Sequence, residues 1–217
     1  LRGVPGCFER TLVAARAAAN ARLLVQVNTL ACSETLADLL AIYALVAELR
    51  VARWSLFFLV SVGRGTVLHE LDSTAAGRLL DWLASLPRDR SPTVTTTEAP
   101  HFRRVQLQRR SLPQAPHAAP AHGGFGVRDG NGVMFVSHTG DVSPSGFLPL
   151  AAGNVRTGDP VSIYRTSPLF ASLRDPVGFG GRCGACRFHA ICGGSRARAW
   201  TATGDPLAED PLCDYQP

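Results

Sequence analysis

Seven almost uninterrupted apolar residues, Trp54 to Val60 (WSLFFLV), constrain the fold of this chain more than any other feature. A strand with so little alternation has no face to offer to water, so it belongs in a parallel sheet covered on both sides. Its neighbours agree. Residues 35–50 place Leu36, Leu39, Leu40, Tyr43, Val46 and Ala47 three and four apart, with Thr35 as N-cap and Asp38 three residues on. That spacing predicts an amphipathic helix. Leu23 to Val27 (LLVQV) reads as an earlier strand, and the Ala-rich stretch from Gly6 to Arg22 as an earlier helix. After the apolar run the chain stops at Gly63-Arg64-Gly65. Ser73 then opens a pattern of Ala76, Leu79, Leu80, Leu83 and Leu86 that ends before Pro87, which predicts a third helix.

Helix, strand, helix, strand, helix is the rhythm of an α/β sheet with right-handed crossovers. Two strands alone would leave apolar edges open, so further strands are expected, before Leu1. The chain starts at Leu1 and its sole methionine is Met134, so it reads as part of something longer. Between Thr97 and Gly126 the pattern turns irregular, with Pro100, Pro113, Pro116, Pro120 and the run PQAPHAAPAHGG. Residues 108–124 are expected to form a flexible linker. Further on, Val133 to His138 and Asp141 to Ser143 flank Thr139-Gly140, which predicts a β-hairpin, and a short helix is expected near Ser167 to Arg174.

Composition removes several function classes. A hydrophobic share of 46% with 18% charged residues is too apolar for wholesale disorder, and no apolar run reaches the ~20 residues of a membrane span. The stretch from Leu1 to Val27 has Arg16 and Arg22 inside it and no small-residue cleavage site, so it is not a secretory signal, and a cytoplasmic location is expected. The net charge of +5 comes from arginine alone, since the 22 basic residues include no lysine. Those arginines are dispersed. The doublets Arg103-Arg104 and Arg109-Arg110 are short and lack interleaved aromatics, so no nucleic-acid partner is expected.

The cysteines divide the molecule. Cys7 and Cys32 are isolated and read as small buried hydrophobes, whereas Cys183-x2-Cys186-x5-Cys192-x20-Cys213 crowds four thiols into one segment. Disulfides are disfavoured because nothing marks the chain as secreted. Four thiolates suit tetrahedral zinc, but zinc ribbons usually pair two Cys-x2-Cys knuckles. Iron–sulfur clusters tolerate spread spacing, and Gly193-Gly194 lets backbone approach sulfur closely. Spacing favours the cluster and leaves zinc open.

The sequence around the cysteines, CGACRFHAICGGSRARAWTATGDPLAEDPLCDYQP, closely resembles the C-terminal SPASM or twitch region of radical SAM enzymes. Within that superfamily it looks most like the group concerned with haem and haem d1 biosynthesis. The segments LRGVPGCFERT, VNT, WSLFFLVSVGRG, TTEAPHFRRV and FVSHTGDVSPSGFLPLAAGNVR resemble such proteins in the same order, so the likeness covers most of the chain. It implies an α/β fold: the C-terminal part of a partial (β/α)6 TIM-like barrel (residues 1–107), the linker (108–124), and a small α+β auxiliary iron–sulfur domain (125–217).

The resemblance also implies chemistry. Such enzymes hold a [4Fe-4S] cluster on a Cys-x3-Cys-x2-Cys loop, reduce S-adenosylmethionine to a 5′-deoxyadenosyl radical and abstract hydrogen from substrate. No Cys-x3-Cys-x2-Cys occurs in these 217 residues, so S-adenosylmethionine and that cluster are expected only in a longer enzyme, and this chain is expected to be inactive alone. Two-cluster relatives have a Gly-x4-Cys element, where this chain has Gly140-x4-Ser145. A hydroxyl is a poor ligand for iron–sulfur iron, so one auxiliary [4Fe-4S] cluster is expected, on Cys183, Cys186, Cys192 and Cys213. The implied reaction is radical oxidation or decarboxylation of a tetrapyrrole, with ferredoxin or flavodoxin as electron donor. The alternatives are a peptide-maturing enzyme of the same superfamily and a non-enzymatic iron–sulfur or zinc module from a split or truncated gene.

Strand ends supply the remaining candidates. Asn28 and Thr29 end the first strand, and Ser61 and Arg64 follow the second; the resemblance makes all four candidates to face S-adenosylmethionine. A strand-end cap serves Asn28 and Thr29 equally well, and a surface arginine in a glycine turn serves Arg64. His101, Arg103 and Arg104 suit either an acidic substrate or, preferably, a solvated loop. His189 is read as a surface residue rather than a partner of the metal ligands. Arg196 and Arg198 either neutralise a cluster's charge or bind Asp205 or Asp210.

Overall fold

A computed structural model describes residues 4–87, 92–109 and 127–217. Three parallel strands form its first sheet: β1 (Gln26–Ala31), β2 (Arg53–Phe58) and β3 (Thr93–Thr97), in the order β1-β2-β3. Gln26 pairs with Arg53 and Arg53 with Thr93, so the carboxyl ends of all three strands lie together. Helix α1 (Cys7–Asn20) precedes the sheet, α2 (Leu39–Glu48) links β1 to β2, and α3 (Ser73–Ser85) links β2 to β3. This is the α/β architecture that the alternating pattern predicts, with one strand more than expected. Residues Thr93–Thr97 (TVTTT) escape a search for apolar runs because threonine is polar, yet its β-branched side chain suits a half-buried strand.

The apolar run behaves as its sequence requires. Trp54, Ser55 and Leu56 are consecutive and all buried, so both faces of β2 are covered. Against one face pack Leu39 and Val46 of α2 and Ala76, Leu79, Leu80 and Leu83 of α3. Trp54, Tyr43 and Trp82 add an aromatic cluster with centroids 5.6–6.2 Å apart. Helix α3 starts where the Asp72 carboxylate accepts the Ala75 N–H at 2.7 Å.

Strand β1 begins three residues later than the sequence suggests. The amides of Ala21, Arg22 and Leu23 bond back to Ala17, Ala19 and Ala18, closing α1 and leaving Leu23 and Leu24 exposed. Asn28 and Thr29 therefore sit mid-strand and not at its end.

Helix α4 (His101–Arg109) replaces the solvated loop expected at residues 101–104, and Gln108 and Arg109, assigned to the linker, form its last turn. Its buried residues are His101, Phe102, Arg104 and Val105, a helical 1, 2, 4, 5 spacing hidden by the polarity of two of them. The rest of the expected linker, 110–124, lies outside the described residues.

A second, antiparallel sheet follows, made of β4 (Phe135–Val136), β5 (Asp141–Ser143) and β6 (Gly153–Asn154). The expected hairpin turns at Thr139-Gly140, with Phe135 opposite Ser143. Four helices complete the chain: α5 (Pro160–Thr166), α6 (Pro168–Arg174), α7 (Gly181–Ala185) and α8 (Arg196–Thr203). Leu148, Leu173 and Ala197 meet Val60, just beyond β2, in a second apolar cluster. The C-terminal elements thus seat on the carboxyl end of the parallel sheet. Among the described residues no helix is long and apolar enough to cross a membrane.

Candidate metal centre

Local backbone chemistry places the four cysteines. Cys183 lies in α7, and Cys186 follows its end in extended conformation. Gly184 between them is obligatory: a β-carbon there would come within 2.0 Å of the Phe179 carbonyl oxygen. The Phe188 amide donates to Cys186 Sγ at 3.4 Å, and a tight turn brings the Cys192 amide to the Phe188 carbonyl at 2.8 Å. Gly194 is left-handed (φ 65°), and a β-carbon on it would meet Asp210 Cβ at 2.7 Å and Cys183 Sγ at 3.2 Å. Cys213 is set by its amide donating to the Asp210 carbonyl.

All four thiols are free and line one pocket, together with His101, Arg104, Arg182, His189 and Asp210. Burial pushes the Cys183 and Cys186 thiols up and that of Cys192 up to about 12. Burial also raises Cys213, but the His101 ring beside it outweighs that and its thiol is lowered. Buried thiols of this kind become thiolates most readily when a metal takes the proton's place. The chemistry is soft: four sulfurs of one pocket, four arginine or histidine side chains around them, and one carboxylate already committed elsewhere.

That carboxylate organises the surroundings. Asp210 is fully buried and lies 3.4 Å from Arg198 Nη1 and 3.2 Å from His101 Nε2. It accepts the Ser195 amide at 2.6 Å, while its own amide donates to Cys183 Sγ at 3.4 Å. Burial opposes its charge, yet Arg198 and His101 hold it well below the usual carboxylate range. Burial likewise disfavours the His101 imidazolium, but Asp210 lifts it to about 9. Arg198, 1% exposed, also donates to Glu70 at 3.0 Å and to the carbonyls of Leu59 and Glu98 at 2.9 Å. One guanidinium therefore ties the ends of β2 and β3 to the residues that hold the cysteines.

Arg198 binds Asp210, one of the two alternatives that its sequence position offers, whereas Arg196 binds neither Asp205 nor Asp210 and reaches Cys183 Sγ at 3.5 Å. His189 is half-buried, with Nδ1 3.3 Å from the Gly184 carbonyl. Ser145 is buried, and its hydroxyl accepts the amides of Phe147 and Leu148. Cys32 is buried as expected, whereas Cys7 is only half-buried on α1, a helix with no buried residue.

The four strand-end candidates do not gather in this pocket. Asn28 is exposed on one face of β1, bonded to Gln26, while Thr29 on the other face accepts the Trp54 indole N–H at 2.9 Å. Ser61 donates its amide to Glu70, the same carboxylate that Arg198 holds, and Arg64 is exposed in a short 3₁₀ turn, Gly63–Val67. Two residues escaped notice in the sequence. Glu98 follows β3 in the left-handed region (φ 58°) and accepts the Ser195 hydroxyl; burial, with Asp129 nearby, raises its carboxyl to about 8. Its signal is a lone acid at a strand end. Tyr215, whose ring takes the Arg104 guanidinium at 4.7 Å, is distinguished only by its place next to the last cysteine.

Comparison with known proteins starts from the whole chain. It is 36% identical over 220 residues to the AdoMet-dependent heme synthase of Methanosarcina barkeri, an alignment covering 100% of this chain and 63% of that protein. Along its whole length the chain is similar to AdoMet-dependent haem synthases. The pre-heme d1 synthase of Dinoroseobacter shibae is 30% identical over 98% of the chain and 57% of its own length. Both names match the haem and haem d1 group that the sequence motifs resemble. The chain spans about three-fifths of the length of these curated relatives. Its fold is similar to that of Streptococcus suis SuiB, with TM-score 0.63 at 14% identity, covering 95% of this chain and 50% of SuiB. No family profile matches the chain.

Proposed function

We propose that this haem-synthase homologue carries the auxiliary-cluster part of a radical SAM oxidoreductase, with Cys183, Cys186, Cys192 and Cys213 holding one [4Fe-4S] cluster. In this reading residues 1–107 are the C-terminal part of the partial barrel, and 125–217 form the SPASM or twitch domain. The observation that carries it is the convergence of four free thiols, Cys192 buried and the other three half-buried, on one pocket walled by arginine and histidine.

The arrangement of the thiols supports a cluster over zinc in this reading. A single Zn²⁺ with Zn–S bonds of ~2.3 Å needs sulfurs within ~4 Å of one another. Among the described residues no three cysteine, histidine or acidic side chains converge closely enough to hold one ion. A wider polynuclear core fits sulfurs spread around a pocket. When bound, such a cluster supplies one-electron redox capacity. The chain's own residues exclude water, donate N–H groups to Cys183 and Cys186, and surround the thiolates with positive charge.

A propionate-bearing tetrapyrrole is the substrate class that the relatives' names favour, and a ferredoxin or flavodoxin is the donor proposed for it. The Cys-x3-Cys-x2-Cys loop is not among these residues, so the roles of Asn28, Thr29, Ser61 and Arg64 toward S-adenosylmethionine are part of the proposal. For Thr29 the bond to Trp54 supports a packing role instead. Anaerobic reconstitution with iron and sulfide tests the central statement. About four iron and four sulfide per chain are expected for a cluster of that type; one tightly held zinc and no sulfide would refute it.

A further inference from the structure

Arg196 is fully buried, and its position is fixed from three sides. Nη1 donates to the carbonyls of Pro206 at 3.1 Å and Ala208 at 2.7 Å, and the guanidinium lies 4.4 Å from the centre of the Phe179 ring. Nη2 points at Cys183 Sγ, 3.5 Å away. A buried charge needs a counter-charge. Three arginines around the pocket have carboxylates: Arg104 has Asp214, Arg182 has Glu209, and Arg198 has Glu70 and Asp210. Among the described residues no carboxylate lies within 4.0 Å of Arg196, and the first anion-forming group that it meets is the sulfur of Cys183.

We propose that Arg196 is the built-in counter-ion of the metal-bound Cys183 thiolate and sets the reduction potential of the centre upward. The inference rests on the cluster reading above. Reducing a four-thiolate cluster adds one negative charge without moving atoms far. A fixed guanidinium hydrogen-bonded to a ligand sulfur stabilises the more negative state, because potential responds to net charge and to N–H···S bonds. The site is shaped for this contact, since a β-carbon on Gly194 would lie 2.5 Å from Arg196 Nη2.

The experiment compares the full chain with its Arg196→Gln and Arg196→Lys variants, all reconstituted anaerobically. Iron and sulfide are counted first, and the reduced-cluster EPR signal is then followed in a potentiometric titration. Arg196→Gln is expected to favour the oxidised state at least tenfold more than the parent, a shift of ~59 mV for one electron. Arg196→Lys should fall between the two. An unchanged potential in Arg196→Gln overturns the proposal while leaving the cluster intact, as does a lysine value equal to that of glutamine. A parent chain that binds no iron overturns the cluster reading itself. Should the glutamine variant not fold, pulsed EPR on unsubstituted protein labelled with ¹⁵N in arginine guanidinium decides. A ¹⁵N coupling to the reduced cluster supports the contact, and its absence overturns it.

Discussion

Replacing Arg198 by leucine removes the group on which the two halves of this molecule converge. The guanidinium serves Glu70, Asp210 and the carbonyls of Leu59 and Glu98, and is 1% exposed. Glu70 is 22% exposed and can recover water. Asp210 is 0% exposed and cannot, although His101 and the amides of Ser195 and Leu212 remain to it. Breaking a buried pair by removing one partner costs about 3–5 kcal/mol, and the partners left to Asp210 put this case at the lower end, about 3 kcal/mol. The stranded Leu59 carbonyl adds about 1 kcal/mol. The expected loss is therefore about 4 kcal/mol, read as a lower midpoint in urea with an unchanged slope. Adding Asp210→Asn to Arg198→Leu should cost far less than it does in the parent, because the charge it removes has already lost its main partner. A single-variant loss below about 1 kcal/mol, or strictly additive effects, would refute the view that this link is buried and coupled.

Two other measurements probe the sheet and its rim. Thr29→Val keeps the shape of the side chain but strands the fully buried Trp54 indole N–H, so a loss of about 1–3 kcal/mol is expected in the same urea assay; no loss would return Thr29 to the list of ligand-facing residues. Glu34 is held down at about 2, first by its bond to His69, against an ordinary value of 4.5. Its stabilising contribution is then present above about pH 4.5 and lost as pH falls toward 2, so the stability gap between the parent and Glu34→Gln should close over that range.

How much of this could be read from the residues depends on which force placed them. The WSLFFLV strand and helices α2 and α3 were legible because apolar period and burial coincide there. Helix α4 was not, because two of its four buried positions are His101 and Arg104, whose burial is affordable only beside Asp210, Asp214 and Tyr215. Strand β3 was missed for the related reason that threonines were doing a strand's work. The cysteine set was legible from its spacing, but its electrostatic setting was not.

By itself the sequence determined the α/β rhythm, the hairpin, the set of four cysteines and the group of proteins they resemble, since each depends on local period, turn chemistry or spacing within a short segment. The tertiary structure decided which charges meet. Arg198 reaches Glu70, 128 positions away, and the ends of two strands, and Arg196 meets the sulfur of Cys183. Those pairings follow from where water is excluded, and water exclusion is a property of the packed chain as a whole.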